Sequence, residues 1–419
     1  MRRLPSSRLA QRAANSMASL ASGAEPSVTH LQASCATLST SAAVALAIFV
    51  GCGARVIPAL LAISVQRDLN WPESYVIGPV ALAVAVSALG APLAARGLLH
   101  VGARSLLFVS LLALSASLAL SSFATSAWHL LLFWGIGVGL SGSLSAFVLA
   151  AMIGFREHVR HCGTSFGLFT SIQCLGSATG LLLASRATEA FGWHVVVKAG
   201  AAITLAAAFV VVLMIRPGRG QAWRESSTFD RPSYIGVRPR RWAIWRIAAI
   251  FFICGASTTG LIDSRLAMLC MGNGLGLTSS ADVLAILAIC GGIGSAVSGA
   301  LADRYPARIL LILYFAVRAL ALLWLPLSSF SVGELSAFGA LFGLDAALTF
   351  PALAKLLSRS LDQYTMVAMM SWMMIAHIFG AAITSAWVGF VGMAGYPVSF
   401  TVVGLMCLIA AGLAGASQD

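Results

Sequence analysis

The chain has 419 residues, of which 59% are hydrophobic and only 10% charged, and its net charge is +12. So few charges cannot cover the surface of a water-soluble protein of this length. The excess of Lys and Arg lies in connecting segments, with no basic helix and no basic–aromatic interleaving, which excludes nucleic acid as a partner.

Residues 1–40 are rich in Arg, Ser and Ala and contain one acid, Glu25. They read as a transit peptide, as a disordered cytoplasmic tail, or as sequence ahead of a true start at Met17, and they stand outside the expected fold. Apolar runs long enough to cross about 30 Å of hydrocarbon as helix then recur to the end of the chain. Twelve spans are expected, near 41–64, 76–98, 104–124, 128–153, 163–185, 194–215, 245–267, 281–302, 308–329, 333–355, 364–391 and 396–416. The connection from Arg216 to Arg246 holds eight arginines against Glu225 and Asp230. A basic linker, 216–244, therefore separates a six-helix bundle at 41–215 from a second at 245–416. The fold class is an all-α membrane protein of two pseudo-symmetric bundles. Forty glycines, in runs such as 135–142, Gly176-xxx-Gly180 and 291–294, suit helices that pack backbone to backbone in lipid. Eight cysteines (35, 52, 162, 174, 254, 270, 290 and 407) are scattered without a CxxC pair and read as small apolar side chains.

Counting charges orients the chain. With the N-terminus in the cytoplasm, 20 of the 26 basic residues fall on that side, and only Arg67, Arg186 and Arg265 fall outside. Both termini are then cytoplasmic. Between spans eight and nine lies GALADRYPAR, Gly299 to Arg308, with an echo AARGLLHVGAR ending at Arg104. The two arginines are 204 positions apart (308 − 104), about half the chain, which marks a duplicated bundle. Gly299, Asp303, Arg304, Arg308 and Arg104 are the candidate gating residues. Asp303 is expected either to cap a helix N-terminus or to pair at the start of span five, near Arg156 and Arg160, in one conformation and to release in the other.

Six spans plus six, a basic central connection and a G-x-x-x-D-R-x-x-x-R turn resemble the major facilitator superfamily over roughly residues 41–416. Local phrases are similar to its bacterial monocarboxylate and oxalate–formate branch. They are Gly53-Ala54-Arg55 with Trp71 after span one, GLIDSRL at 260–266, YFAVRAL at 314–320, GLDAALTFPAL at 343–353 and AHIFGAA at 376–382. The resemblance implies alternating access by two rocking bundles around a cavity bordered by spans one and ten. The first-half turn departs from the family pattern, with Leu99 in place of Asp and His100 in place of Arg. Span five lacks the Gly-Pro signature of drug antiporters, and spans eight and eleven lack the cations of dicarboxylate carriers.

An ionised side chain at the bilayer centre costs about 2.5–3.5 kcal/mol, so each needs a partner or a wet cavity. Arg318 lies roughly 15 Å in from Arg308, and Asp345 roughly 16 Å in from Glu334, at 1.5 Å of rise per residue. They are expected to pair between spans nine and ten, either as a fixed bridge or as a working pair that handles a proton or the substrate. No first-half span holds an acid, so Arg55 is expected to receive a substrate carboxylate through its bidentate guanidinium. Its alternatives are backbone carbonyls of a helix broken near Pro58, or a partner in the other half. Asp263 and Arg265, near the outer end of span seven, are either an outer-gate or coupling group or a solvated interfacial pair. His377 is a candidate for proton relay or substrate contact, or a satisfied hydrogen-bonding group. Gln173 and Ser171, with Ser141, Ser143 and Ser145, are candidate donors to a carboxylate or packing groups. Phe169, Phe350 and Trp372 are candidate walls of an apolar pocket.

No P-loop, HExxH or GxSxG occurs, so no catalytic site, metal site or cofactor is expected and energy must come from a gradient, most simply of protons. The expected protein is a monomeric, proton-coupled transporter of a small organic monocarboxylate in the cytoplasmic membrane. The alternatives are an efflux carrier for a neutral or amphipathic compound and a transporter-like receptor without net flux.

Overall fold

The computed structural model describes residues 26–72, 74–145, 162–215, 241–346, 349, 352, 363–391 and 395–416. All regular elements among them are helical. Nine are long and apolar enough to cross a membrane, among them Ser41–Ala62, Gly167–Phe191, Ile244–Gly272 and Leu277–Arg304. Gly78–Ser87 and Trp372–Val388 are shorter apolar stretches, and Val332–Ala346 occupies the place of span ten.

Two expectations need correction. The first helix runs Pro26–Arg55, so the segment expected to be disordered through residue 40 is helical from Pro26 onward. Proline is favourable in a first helical turn, and neither Gly nor Pro follows until Gly51 to stop the helix. The first-half turn was the second. The helix Ala91–Ser121 continues straight through AARGLLHVGAR, after a turn at Gly90. Seven of its eleven residues are Ala, Leu or Arg and none is proline, so local preference favours helix. In the second half, Leu277–Arg304 ends at extended Tyr305 (φ −108, ψ 157), and Pro306 opens the helix Ala307–Trp324. Proline cannot continue a helix and drives the residue before it toward extended backbone.

The packing has the two-fold pattern of a duplication. Spans one and five, two and four, and three and six pair in the first half, and seven with eleven, eight with ten and nine with twelve repeat this in the second. The halves meet along two seams, span five on span eight and span two on span eleven. Glycines bring the paired backbones together. A Cβ at Gly176 or Gly180 would collide with the backbone of Phe49 or Gly53, and one at Gly255 or Gly260 with that of His377 or Ala381. Gly135 and Gly139 likewise pack on Leu82, Ala83 and Val86 of span two, and Gly294 on Leu344. Such contact is the main route to helix association where the solvent is itself apolar.

Besides the turn at Gly90 in span two and a π-helical segment Leu131–Val138 in span four, spans one and seven are irregular near their middle. Span one stops at Arg55 and resumes as Ile57–Leu69, with Val56 between and Pro58 in the first turn. Pro58 has no N–H to give to the carbonyl four residues back, and its ring crowds that turn. Span seven runs Arg241–Gly255, then through a wider π-helical segment Ala256–Asp263, and on as Ser264–Gly272. Widened turns of this kind concentrate at functional sites.

Candidate functional site

The break in span one presents Arg55. Its guanidinium is half-buried and donates from Nε to the Gly51 carbonyl (3.2 Å), from Nη1 to the Gly142 carbonyl of span four (3.1 Å) and from Nη2 to Cys52 Sγ (2.7 Å). These partners are all neutral. Among the described residues the two ion pairs, Arg186–Asp282 and Arg318–Asp345, both lie elsewhere.

The widened turn of span seven presents Asp263. Its carboxyl is hydrogen-bonded to the Thr259 hydroxyl one turn earlier. Thr259 Oγ1 is also 3.5 Å from His377 Nε2 on span eleven. Asp263 is exposed, and Cys174 of span five lies within electrostatic reach of both Asp263 and Cys52. The open side of Asp263 therefore faces the space between the halves. A row of polar groups crosses that space: Arg55, Cys52, Cys174, Asp263, Thr259 and His377. Gln173, half-buried, neighbours Cys174 in sequence.

The span five–span eight seam is fastened along its length. At the end carrying GALADRYPAR, Asp303 Oδ2 accepts from the Thr164 backbone N–H (3.0 Å) and hydroxyl (2.7 Å). Thr164 lies in the first turn of the helix Cys162–Phe191, so Asp303 satisfies an amide that has no partner within its own helix. Next to this contact a Cβ at Gly167 would lie 3.1 Å from Gly299 Cα. Midway, Ser171 donates to the Gly292 carbonyl (2.6 Å), and at the far end Arg186 pairs with Asp282 (3.1 Å).

Residues 43–278, more than half of the chain, match the family profile of the Major Facilitator Superfamily. The chain belongs to the major facilitator superfamily. Comparison with curated proteins finds no match. The protein is thus a multi-pass membrane transporter of this superfamily, and the matched segment contains both Arg55 and Asp263.

The remaining candidates divide by position. Arg318 and Asp345 are buried inside the second bundle, 0% and 2% exposed, with Nε 2.6 Å from Oδ2. Arg318 also donates to Thr349 Oγ1 (2.8 Å), the Asp345 carbonyl (3.2 Å) and Ser257 Oγ (3.3 Å). The rings of Phe315 and Phe342 flank its guanidinium at 5.1 and 5.9 Å. This is a closed, buried pair in which Arg318 engages Oδ2 of Asp345, while Asp345 Oδ1 has no hydrogen-bond partner among the described residues. Trp372 is 65% exposed and shares a stripe with Phe379, Ile383, Trp387 and Phe390, the pattern of a lipid-facing side, so the structure does not bring it to the row. Phe169 belongs to a first-bundle core, and Phe350 lies outside the described residues.

Ser141 and Ser143 donate to carbonyls of their own helix, at Val138 and Leu140, as packing groups do. The Ser145 side chain, Arg156 and Arg160 lie outside the description. Arg104 donates to the Val212 carbonyl (3.2 Å) in the last turn of span six, the favourable end for a cation. Arg304 is exposed and Arg308 half-buried. Arg265 donates to the Ser385 carbonyl (3.3 Å) of span eleven, away from Asp263.

Sequence reasoning passed over Thr259, Cys52 and Cys174. Thr259 and Asp263 are four apart, and Cys52 and Arg55 three apart, which places each pair on one helix face. That spacing was the available signal. Cys174 carried none, because its place follows from how span five packs.

Proposed function

We propose that this transporter moves a small organic anion, a monocarboxylate, by alternating access in the cytoplasmic membrane, driven by the proton gradient. One observation carries the reading. Arg55 stands at a break in a mid-membrane helix, half-buried and bonded, among the described residues, to neutral groups, on the row that crosses between the bundles. A guanidinium with its charge unneutralised is a receptor for a carboxylate. The local phrases similar to the monocarboxylate branch support the substrate class, and the 20 basic residues gathered on one side support cytoplasmic termini.

The test is uptake of radiolabelled lactate by the full chain in proteoliposomes. Arg55→Ala is expected to lower uptake about 10- to 100-fold, the loss of a charged hydrogen bond of about 1.5–3 kcal/mol, while folded yield stays unchanged. Undiminished uptake would overturn the reading.

The three bonds to Gly51, Cys52 and Gly142 favour a second reading, in which Arg55 staples span one to span four and the cargo is neutral or amphipathic. Thermal stability without cargo separates the two. A staple predicts a lower Tm for Arg55→Ala; an anion receptor predicts an unchanged one.

A further inference from the structure

The row between the halves contains two candidate proton carriers that the sequence left side by side with a third, Asp345. We infer that Asp263 takes up the coupled proton, that it exchanges it with His377 through the Thr259 hydroxyl, and that Thr259 is the positioning residue of this relay. The inference rests on the proton-coupled reading above and assigns its site.

Geometry separates the candidates. Asp345 is closed off: Arg318 holds one carboxylate oxygen, the pair is 0% and 2% exposed, and Thr349 and Ser257 occupy the guanidinium's other nitrogens. Protonating Asp345 would leave Arg318 as an uncompensated buried charge. Asp263 has neither restraint. It is exposed toward the space between the halves, and its described hydrogen-bond partner is a neutral hydroxyl.

A hydroxyl suits a relay because it donates one proton and accepts at two lone pairs. With Asp263 ionised and His377 an imidazolium, Thr259 O–H donates to the carboxylate and its oxygen accepts from Nε2–H. Transfer of the Nε2 proton to Thr259 Oγ1 and of the Thr259 proton to the carboxylate leaves Asp263 protonated and His377 neutral, its Nε2 lone pair facing the Thr259 O–H. The reverse transfer restores the imidazolium, so one proton is exchanged between Asp263 and His377 with no net change at Thr259. An apolar group at 259 could not reverse in this way.

The charges facing the string are few. Span five contributes Cys174, with Cys52 and Arg55 of span one behind it. Span nine contributes Arg318, which acts on His377 while remaining bound to Asp345 of span ten. Span twelve contributes Cys407, which meets Ser257 rather than Thr259. Arg265, two positions past Asp263, is on another face of the helix and bonds the Ser385 carbonyl. Arg55 stands behind Cys52 and Cys174 on that side, and an anionic cargo held there would draw a proton onto the facing carboxylate.

Two measurements on the full chain test this. The first needs no cargo: infrared difference spectra between acid and alkaline pH follow the protonated-carboxyl band. Subtracting the Asp263→Asn spectrum from wild type is expected to leave one protonated-carboxyl component, unchanged in the Asp345→Asn background, shifted in midpoint by Thr259→Val and restored by Thr259→Ser. No such component in the subtraction, or Thr259→Val indistinguishable from wild type, overturns the inference. The second uses lactate in proteoliposomes. Asp263→Asn is expected to lose accumulation driven by a pH gradient at least about tenfold while keeping lactate–lactate counterflow; loss of both together overturns it. Wild type that moves no lactate would sink the anion reading, and the infrared result would still decide the relay.

Discussion

Arg318 and Arg55 are the same side chain at similar depth, yet their surroundings give them opposite chemistry. Arg318 has an acid, a hydroxyl pair and two aromatic rings around it, so its charge is neutralised in place. Arg55 has carbonyls and a thiol, which orient the guanidinium and leave its charge available. Removing one member of the buried pair should therefore be far worse than removing both. Arg318→Leu is expected to cost about 3–5 kcal/mol or to abolish folded protein, while Arg318→Leu with Asp345→Leu recovers most of the loss. Thermal unfolding in detergent measures both; a double variant no better than the single would contradict it. Residue depth was readable in advance because a helix converts sequence separation to distance at a fixed rise. What that rule could not supply was the side of the helix. Arg318 faces inward to its own bundle and Asp263 faces out of it, and only packing decides that.

At the level of elements, spans one and seven occupy equivalent places in their halves and both lose regular geometry near the middle. The first irregularity was announced by Pro58, whose missing N–H has a fixed consequence. The second, Ala256–Asp263, contains no proline, and a wider turn leaves no comparable mark in composition. The turn AARGLLHVGAR failed for a related reason. Its likeness to GALADRYPAR lay in Gly102 and Arg104, whereas what stops a helix in the second copy is Pro306. Small-residue runs were the most legible element-scale signal. Gly176→Leu is expected to drive spans one and five apart and lose folded protein, since its Cβ would meet Phe49 backbone. Gly412→Leu, where nothing lies within 4 Å, is the matched control and should fold normally. Fluorescence-detected size exclusion compares them, and equal yields would refute the packing argument.

For the whole molecule, duplication was visible from the basic linker and the repeated arginine, but the pairing of spans was not, because contacts between distant segments leave no local trace. The seam of spans five and eight is the clearest result of that pairing. It is fastened at both ends and in the middle, by Asp303 on Thr164, Arg186 on Asp282 and Ser171 on Gly292. The exposed Arg186–Asp282 pair contributes at most about 1 kcal/mol. Asp303 at a helix start is the stronger fastening, so Asp303→Asn should raise thiol labelling of a reporter cysteine placed beside Thr164 and change the transport rate. Labelling and rate both equal to wild type would remove Asp303 from the gate.

The form of that fastening has an evolutionary consequence. Asp303 grips a peptide N–H, which every amino acid except proline supplies, with the Thr164 hydroxyl as an addition. Mutational drift at the start of span five can thus change every side chain there without erasing the receptor. The vulnerability is lopsided: one half of the contact is a single replaceable carboxylate, and the other is the polypeptide itself.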